Sequence, residues 1–305
     1  MSTPQSYEEL WLDGPLNTRF YTRVYSPPQS TSTRAVLVYV HGYCDQISGQ
    51  YYTDDHVAMT QRGIAVLTYD QRGFGKTALG EGRSPVSKYG NTGGGNERMH
   101  DVEWAITEAS SRFKGAPLFL MGFSMGGALV VDFSSRTSSP PSKETQALIR
   151  GVISCSPLIR LINGPPSPLR TMLTWTSKAL PNMQWSTPLF AKELSHDPKI
   201  ADLVLSDPLL EPHGSLQGIG DMLDRGEHLL KSGFKLWNED LPVLFTHGTG
   251  DPVTSWKATK DFYDKLTARD KSIITYPDML HALNTEPDAK EKFREDVISW
   301  IEKHI

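Results

Sequence analysis

Leu118-Phe-Leu-Met-Gly122-Phe123-Ser124-Met125-Gly126-Gly127-Ala128 is the stretch on which the reading of the fold turns. Leu118 to Met121 has the length and apolar character of a buried strand, and from Gly127 to Ser134 the pattern becomes that of an apolar helix. Ser124 therefore falls on the turn between them. A side chain at either flanking glycine obstructs so sharp a turn, because the helix must cross close to the strand. The serine hydroxyl then stands above the sheet, and the Met125 N–H at the helix start faces the same space. Gly-x-Ser-x-Gly also arises by chance in glycine-rich loops, so its test is whether an acid and a histidine follow in the order Ser, Asp, His.

Toward the N-terminus, residues 7–12 and 19–25 read as two edge strands closed by Ser26-Pro27-Pro28. Ala35 to Val40 is a continuous apolar run, the pattern of a strand buried on both faces. It stops at His41-Gly42-Tyr43, where glycine lets the backbone turn back over the sheet and bring the Tyr43 N–H toward Ser124. Ile64 to Tyr69 is a second buried strand, ending in Asp70-Gln71-Arg72-Gly73-Phe74-Gly75-Lys76-Thr77. Gly-Lys-Thr invites a phosphate-loop reading, but such a loop needs glycine where Asp70 stands. Gly93-Gly94-Gly95 reads as a flexible loop before a helix that Asn96 caps and that Val102, Ile106 and Ala109 stripe.

Toward the C-terminus, Ile149 to Ser156 is another buried strand, and the strand–helix alternation predicts a mostly parallel, doubly wound α/β sheet with helices on both faces. Strand logic resumes at 241–246, followed by a helix over 256–268, a strand over 273–276 and a final helix. Thr285, with Asp288 three residues on, is expected to cap that helix, whose stripe is Phe293, Val297, Trp300 and Ile301. Between these halves, 157–220 carries no convincing strand and reads as an inserted helical cap, leaving 1–156 and 221–305 as the core. Leu158, Ile159, Leu161, Ile162, Trp175 and Trp185 exceed what so small an insertion buries alone, which points to a face that lines an acyl channel or meets lipid.

At 305 residues, 38% hydrophobic and 22% charged, the composition is that of a globular protein with one large core, or a core with an inserted subdomain. A net charge of −4 without a Lys/Arg run gives no field for nucleic acid. Met1-Ser-Thr-Pro-Gln-Ser-Tyr-Glu-Glu lacks the basic and apolar regions of a secretory signal, and no apolar run reaches bilayer-spanning length, so a cytoplasmic, non-spanning protein is expected. Two cysteines, Cys44 and Cys155, support neither a disulfide framework nor a metal site, and no metal is expected.

Ser124, Asp251 and His281 occur in the required order, each just past a predicted strand, and loops at that edge of a parallel sheet converge. A hydroxyl is a poor nucleophile at neutral pH; an imidazole must take its proton and a carboxylate must fix and stabilise that imidazole. The oxyanion then needs donors already in place, for which the Tyr43 and Met125 N–H groups are the candidates. Taken singly each residue has a duller role: a small residue at a tight crossing, a helix N-cap before Pro252, a polar loop histidine. Of the rival acids, Asp278 lies only three residues before His281 and Asp224 sits in a helical pattern. His41 reads as an orienting hydrogen-bonder, and His100, His196, His213, His228 and His247 as structural.

His41-Gly42, Asp70-Gln71-Arg72-Gly73-x-Gly75, Gly122-x-Ser124-Met125-Gly126-Gly127, Ser206-Asp207-Pro208, Gly248-x-x-Asp251 and the His281 loop together resemble the monoglyceride lipase family, its fungal members above all. The resemblance spans nearly the whole chain. It implies an α/β-hydrolase fold with a mobile apolar cap, hydrolysis of monoacylglycerols to glycerol and fatty acid, no cofactor, and peripheral association with lipid droplets or membranes. Members of the family usually have histidine where this chain has Phe123, and a Gly-Glu pair where it has Cys44-Asp45. By match to that pair, Asp45 is the residue expected to read the glycerol hydroxyls. Diacylglycerol lipase, lysophospholipase and general carboxylesterase activities are the alternatives on the same fold, and a non-catalytic binding protein is the alternative outside it.

Overall fold

The computed structural model of the chain describes residues 6–187 and 191–305. Eight strands form one sheet: β1 (Glu8–Asp13), β2 (Arg19–Tyr25), β3 (Ala35–Val40), β4 (Ile64–Tyr69), β5 (Leu118–Phe123), β6 (Ile149–Cys155), β9 (Val243–Gly248) and β10 (Lys271–Tyr276). Their order across the sheet is β1-β2-β4-β3-β5-β6-β9-β10. Pairings β1–β2 and β2–β4 are antiparallel and the remainder parallel. This is the doubly wound α/β-hydrolase architecture expected.

The continuous apolar runs are explained by burial on both faces. In β3, Val36, Val38 and Val40 enter the core shared with α3 (Gly95–Arg112), α4 (Met125–Ser135) and α9 (Trp256–Lys265). Its alternate residues Ala35, Leu37 and Tyr39 enter the opposite core, closed by α1 (Gln50–Gln61) and α10 (Lys290–Lys303). Two short helices, α2 (Gly75–Leu79) and α5 (Lys143–Gln146), complete this frame.

Two expected helix starts are displaced. Helix α3 begins at Gly95, and the Glu97 carboxylate accepts the Gly94 N–H (3.0 Å), whereas Asn96 lies inside the first turn and accepts from Arg136. Helix α10 begins after Ala289; Thr285 closes a separate 3₁₀ turn, its hydroxyl donating to the Ala282 carbonyl (2.8 Å). At Thr285 a local hydrogen bond takes the capping group, and at Asn96 a long-range one from Arg136 does.

Between β6 and β9 lie α6 (Ser167–Ala179), β7 (Gln184–Ser186), α7 (Pro198–Ser206), β8 (His213–Ser215) and α8 (Leu216–Lys231). The two short strands, which the sequence reading lacks, pair antiparallel through Gln184↔Ser215 and Ser186↔His213. Three-residue strands are too short to carry an alternation pattern. Helix α8, capped by the Ser215 hydroxyl on the Gly218 N–H (3.1 Å), runs straight through the boundary set at 220 and buries Met222 and Leu229. Among the described residues, no helix is long and apolar enough to cross a membrane.

Candidate active site

Ser124 occupies the turn between β5 and α4 with φ 54°, a left-handed conformation that costs a non-glycine residue energy. The surroundings over-determine it. Its N–H donates to the Cys155 carbonyl (2.9 Å), and its carbonyl accepts from Leu158 (2.9 Å) and Ala128 (3.1 Å). A Cβ on Gly122 would strike the Gly126 carbonyl, and one on Gly126 would strike those of Val40 and His41, so neither flanking position admits a side chain.

Asp251 and His281 are brought together by two loops packed backbone to backbone past the ends of β9 and β10. Thr249 N–H donates to Tyr276 (3.0 Å) and Gly250 N–H to Met279 (3.1 Å), and a Cβ on Gly248 would meet the Met279 carbonyl. The His281 ring then lies with Nε2 2.9 Å from Ser124 Oγ and Nδ1 2.7 Å from Asp251 Oδ2. All three side chains are buried. The arrangement fits His281 in the tautomer that donates Nδ1–H to the carboxylate and accepts the Ser124 hydroxyl proton at Nε2.

Asp251 receives further donors that went unrecognised in the sequence. Its Oδ1 accepts from the Val253 (2.8 Å) and Thr254 (3.0 Å) N–H groups, and its Oδ2 from the Thr254 hydroxyl (2.7 Å), with His247 Nε2 3.1 Å away. Burial pushes the Asp251 carboxyl up, but the two imidazoles and the hydrogen bonds outweigh it and hold it well below the usual carboxylate range. Asp251-x-x-Thr254 was legible as a local Asp/Thr turn, and His247 as one helical-turn spacing before Asp251; neither spacing announces that both side chains converge on one oxygen.

The loop after β3 is held from beneath. His41 Nδ1–H donates to Gly42 O (2.8 Å) and its Nε2 accepts the Gln71 N–H (2.8 Å), the orienting role expected. Asp70 accepts from the Ile47 (2.8 Å) and Lys76 (2.6 Å) N–H groups, and a Cβ on Gly75 would collide with its carboxylate. The Asp-Gln-Arg-Gly-x-Gly run therefore clamps this loop, with Arg72 anchored on Asp101 (2.6 Å). Met125 opens α4, and its sulfur accepts from the Arg98 guanidinium (2.8 Å).

Ser124 and His281 border a cavity of about 370 Å³. Gly42, Tyr43, Asp45, Ser124 and His281 line it together with the apolar Leu169, Leu173, Ile200, Val204, Leu216 and Leu223. The Asp45 carboxylate is already engaged by the Tyr52 hydroxyl and the Gln46 N–H (2.8 Å). Phe123 packs on the His281 ring at 4.9 Å between centroids and also lines the cavity. Of the rival acids, Asp224 pairs with Arg170 (2.8 Å), and Asp278 sits at φ 59° with its N–H on Thr249 Oγ1. Burial pushes both thiols up to about 12, so Cys44 and Cys155 are unreactive at neutral pH. Among the described residues no cluster of His, Cys, Asp or Glu is arranged to hold a metal ion.

Residues 31–288 match the family described as Serine aminopeptidase, S33. A putative monoglyceride lipase of Schizosaccharomyces pombe is 32% identical over 95% of this chain and 71% of its own length. The Saccharomyces cerevisiae monoglyceride lipase is 28% identical over 90% of this chain and 87% of its own. The crystal structure of a soluble variant of the S. cerevisiae enzyme superposes with a TM-score of 0.79 at 24% identity, covering 100% of this chain and 96% of that one. The chain belongs to the Serine aminopeptidase, S33 family of α/β-hydrolases and, within that fold, to the monoglyceride lipases.

Proposed function

We propose that this protein hydrolyses monoacylglycerols to glycerol and free fatty acid through an acyl-enzyme on Ser124. The observation that carries the reading is the unbroken Ser124–His281–Asp251 hydrogen-bond chain, 2.9 and 2.7 Å, bordering an apolar cavity. Ser124 Oγ attacks the ester carbonyl carbon as its proton passes to His281 Nε2. Asp251, kept ionised, stabilises the resulting imidazolium. The oxyanion is received by the Tyr43 and Met125 N–H groups. As the intermediate collapses, the C–O bond to glycerol breaks and His281 returns its proton to the departing alcohol. A water, deprotonated by the same imidazole, then attacks the acyl-enzyme; fatty acid leaves and the Ser124 hydroxyl is restored. No step needs a metal or cofactor. Asp45 is assigned to the glycerol hydroxyls, Tyr52 orienting its carboxylate.

The chain divides, in this reading, into a hydrolase core of 1–156 and 221–305 and a cap of 157–220 whose inner face lines the acyl channel. Helix α6 supports it: Leu169 and Leu173, four residues apart, face the cavity, whereas Met172 and Trp175 are 53% and 69% exposed. Leu203 and Leu205 of α7 are likewise exposed. Such an apolar outer surface suits peripheral attachment of a cytoplasmic enzyme to a lipid droplet or membrane.

Ser124→Ala is expected to reduce fatty acid release from monoolein to background while circular dichroism stays unchanged; undiminished release refutes the mechanism. Rates on mono-, di- and triacylglycerols, lysophosphatidylcholine and short p-nitrophenyl esters test the substrate. A preference for diacylglycerol or lysophospholipid over monoolein transfers the assignment to that class.

A further inference from the structure

The His281 ring is held by Ser124 and Asp251, but its backbone belongs to a loop between β10 and α10 that must itself be held. Part of the hold comes from the insertion. The Ala282 N–H donates to the Leu194 carbonyl (2.7 Å), and the Ser195 hydroxyl donates to the Thr285 carbonyl (3.0 Å). At the centre of this contact is Glu286, whose side chain is 0% exposed. Its Oε1 accepts the N–H of Leu280, the residue before His281, at 2.6 Å. Its Oε2 accepts the His196 N–H at 3.1 Å, and the half-exposed His196 ring donates from Nδ1 at 3.0 Å. Among the described residues His196 is its one ion partner.

A carboxylate removed from water without a lysine or arginine beside it is costly unless donors surround it. Among the described residues the donors belong to two segments that must meet, Leu280 on the catalytic loop and His196 on the insertion. A carboxylate is acceptor-only and takes all three; glutamine would turn its own N–H₂ against one of them. An apolar residue would leave the part-buried Leu280 and His196 N–H groups without this acceptor.

We propose that Glu286 is the positioning residue for His281 and that segment 194–196 reaches the catalytic base through it. The insertion then does more than roof the cavity: it fixes the placement of the imidazole. This rests on the assignment of His281 as the base.

The test uses Glu286→Ala and His196→Ala in the full chain, with p-nitrophenyl butyrate as a soluble substrate so that lipid interfaces do not enter. Active sites are titrated to completion with a fluorophosphonate, well below the melting temperature. Displacing a catalytic group by about 1 Å costs on the order of a hundredfold, so Glu286→Ala is expected to lower kcat per titrated site by about ten- to a hundredfold with KM within about twofold. His196→Ala, which keeps the Leu280 bond, is expected to lower kcat about three- to fivefold, since one of three donors is lost. A purely structural role would reduce the number of titratable sites and leave kcat per site unchanged; that result, within about twofold, overturns the proposal. If Glu286→Ala does not fold, His196→Ala decides by the same criterion. His281→Ala is measured alongside: full activity there refutes the triad, whereas an inactive His281→Ala beside a fully active Glu286→Ala refutes only the role of Glu286.

Discussion

The rim of the sheet and the outer face of the insertion are built on opposite terms. At the rim, Asp251 gathers donors from Val253, Thr254, His281 and His247, and the groups involved are buried. Each polar atom removed from water there requires a partner at one distance and one angle, so a single arrangement is selected. On the outer face of α6 and α7, Met172, Trp175, Leu203 and Leu205 lie open to solvent. Apolar attraction has no preferred direction, and what such a face gains depends only on the surface it meets. Chemistry is therefore concentrated where geometry is over-determined, and adaptability where it is not.

The comparison breaks first, and by the largest margin, at Asp251. Asp251→Asn keeps the shape but loses the charge and favours the wrong His281 tautomer, so kcat is expected to fall about 10⁴-fold with secondary structure intact. A loss under tenfold, read from steady-state hydrolysis of p-nitrophenyl butyrate, means that the rim does not depend on that carboxylate.

Trp175→Ser probes the other region. Activity on emulsified monoolein should drop about three- to tenfold, while activity on the soluble ester stays within about twofold and stability within about 0.5 kcal/mol, as for surface substitutions generally. Equal losses on both substrates would make the exposed face structural. Leu173 of the same helix lines the cavity, and Leu173→Ser should impair both substrates.

The smallest effect sharpens the rule for buried carboxylates. Asp55 of α1 is paired with Arg294 of α10 (2.7 Å). Burial pushes its carboxyl up to about 6 despite that ion pair, the reverse of Asp251. An unfolded aspartate titrates near pH 3.9, so folding takes up a proton between about pH 4 and 6. The stabilisation this gives is present below the unfolded value and fades as pH rises through the folded one. Against Asp55→Asn, which stays neutral, the wild type should lose a few degrees of relative melting temperature, at most about 2 kcal/mol, between pH 4 and pH 6. A constant difference in thermal melts across that range would mean that the Arg294 pair keeps Asp55 ionised, as the imidazoles keep Asp251.

Much of this molecule is legible from residue order alone. Strands β3, β4, β5 and β6 lie close to their predicted places because full burial on both faces leaves an uninterrupted apolar signature, and Ser124 follows from the glycines that the crossing of β5 and α4 demands. Asp251 and His281 follow from their positions past successive strands. The misses share one cause. Asn96 and Thr285 had the right residue types for caps but found other hydrogen-bond partners, and β7 and β8 exist only because two short segments of the insertion pair with each other. His247, Thr254 and Glu286 carry no motif, since what matters about them is the atom they approach.

What the sequence determined by itself is thus the periodic and the obligatory: buried strands, a glycine-flanked turn, and three chemically necessary side chains in order. Only the tertiary structure decided which neighbours saturate Asp251, which face of α6 looks inward, and how the insertion grips the loop of His281. Periodicity is written into neighbouring residues, whereas a hydrogen bond between Glu286 and His196 depends on two loops meeting across ninety positions of chain.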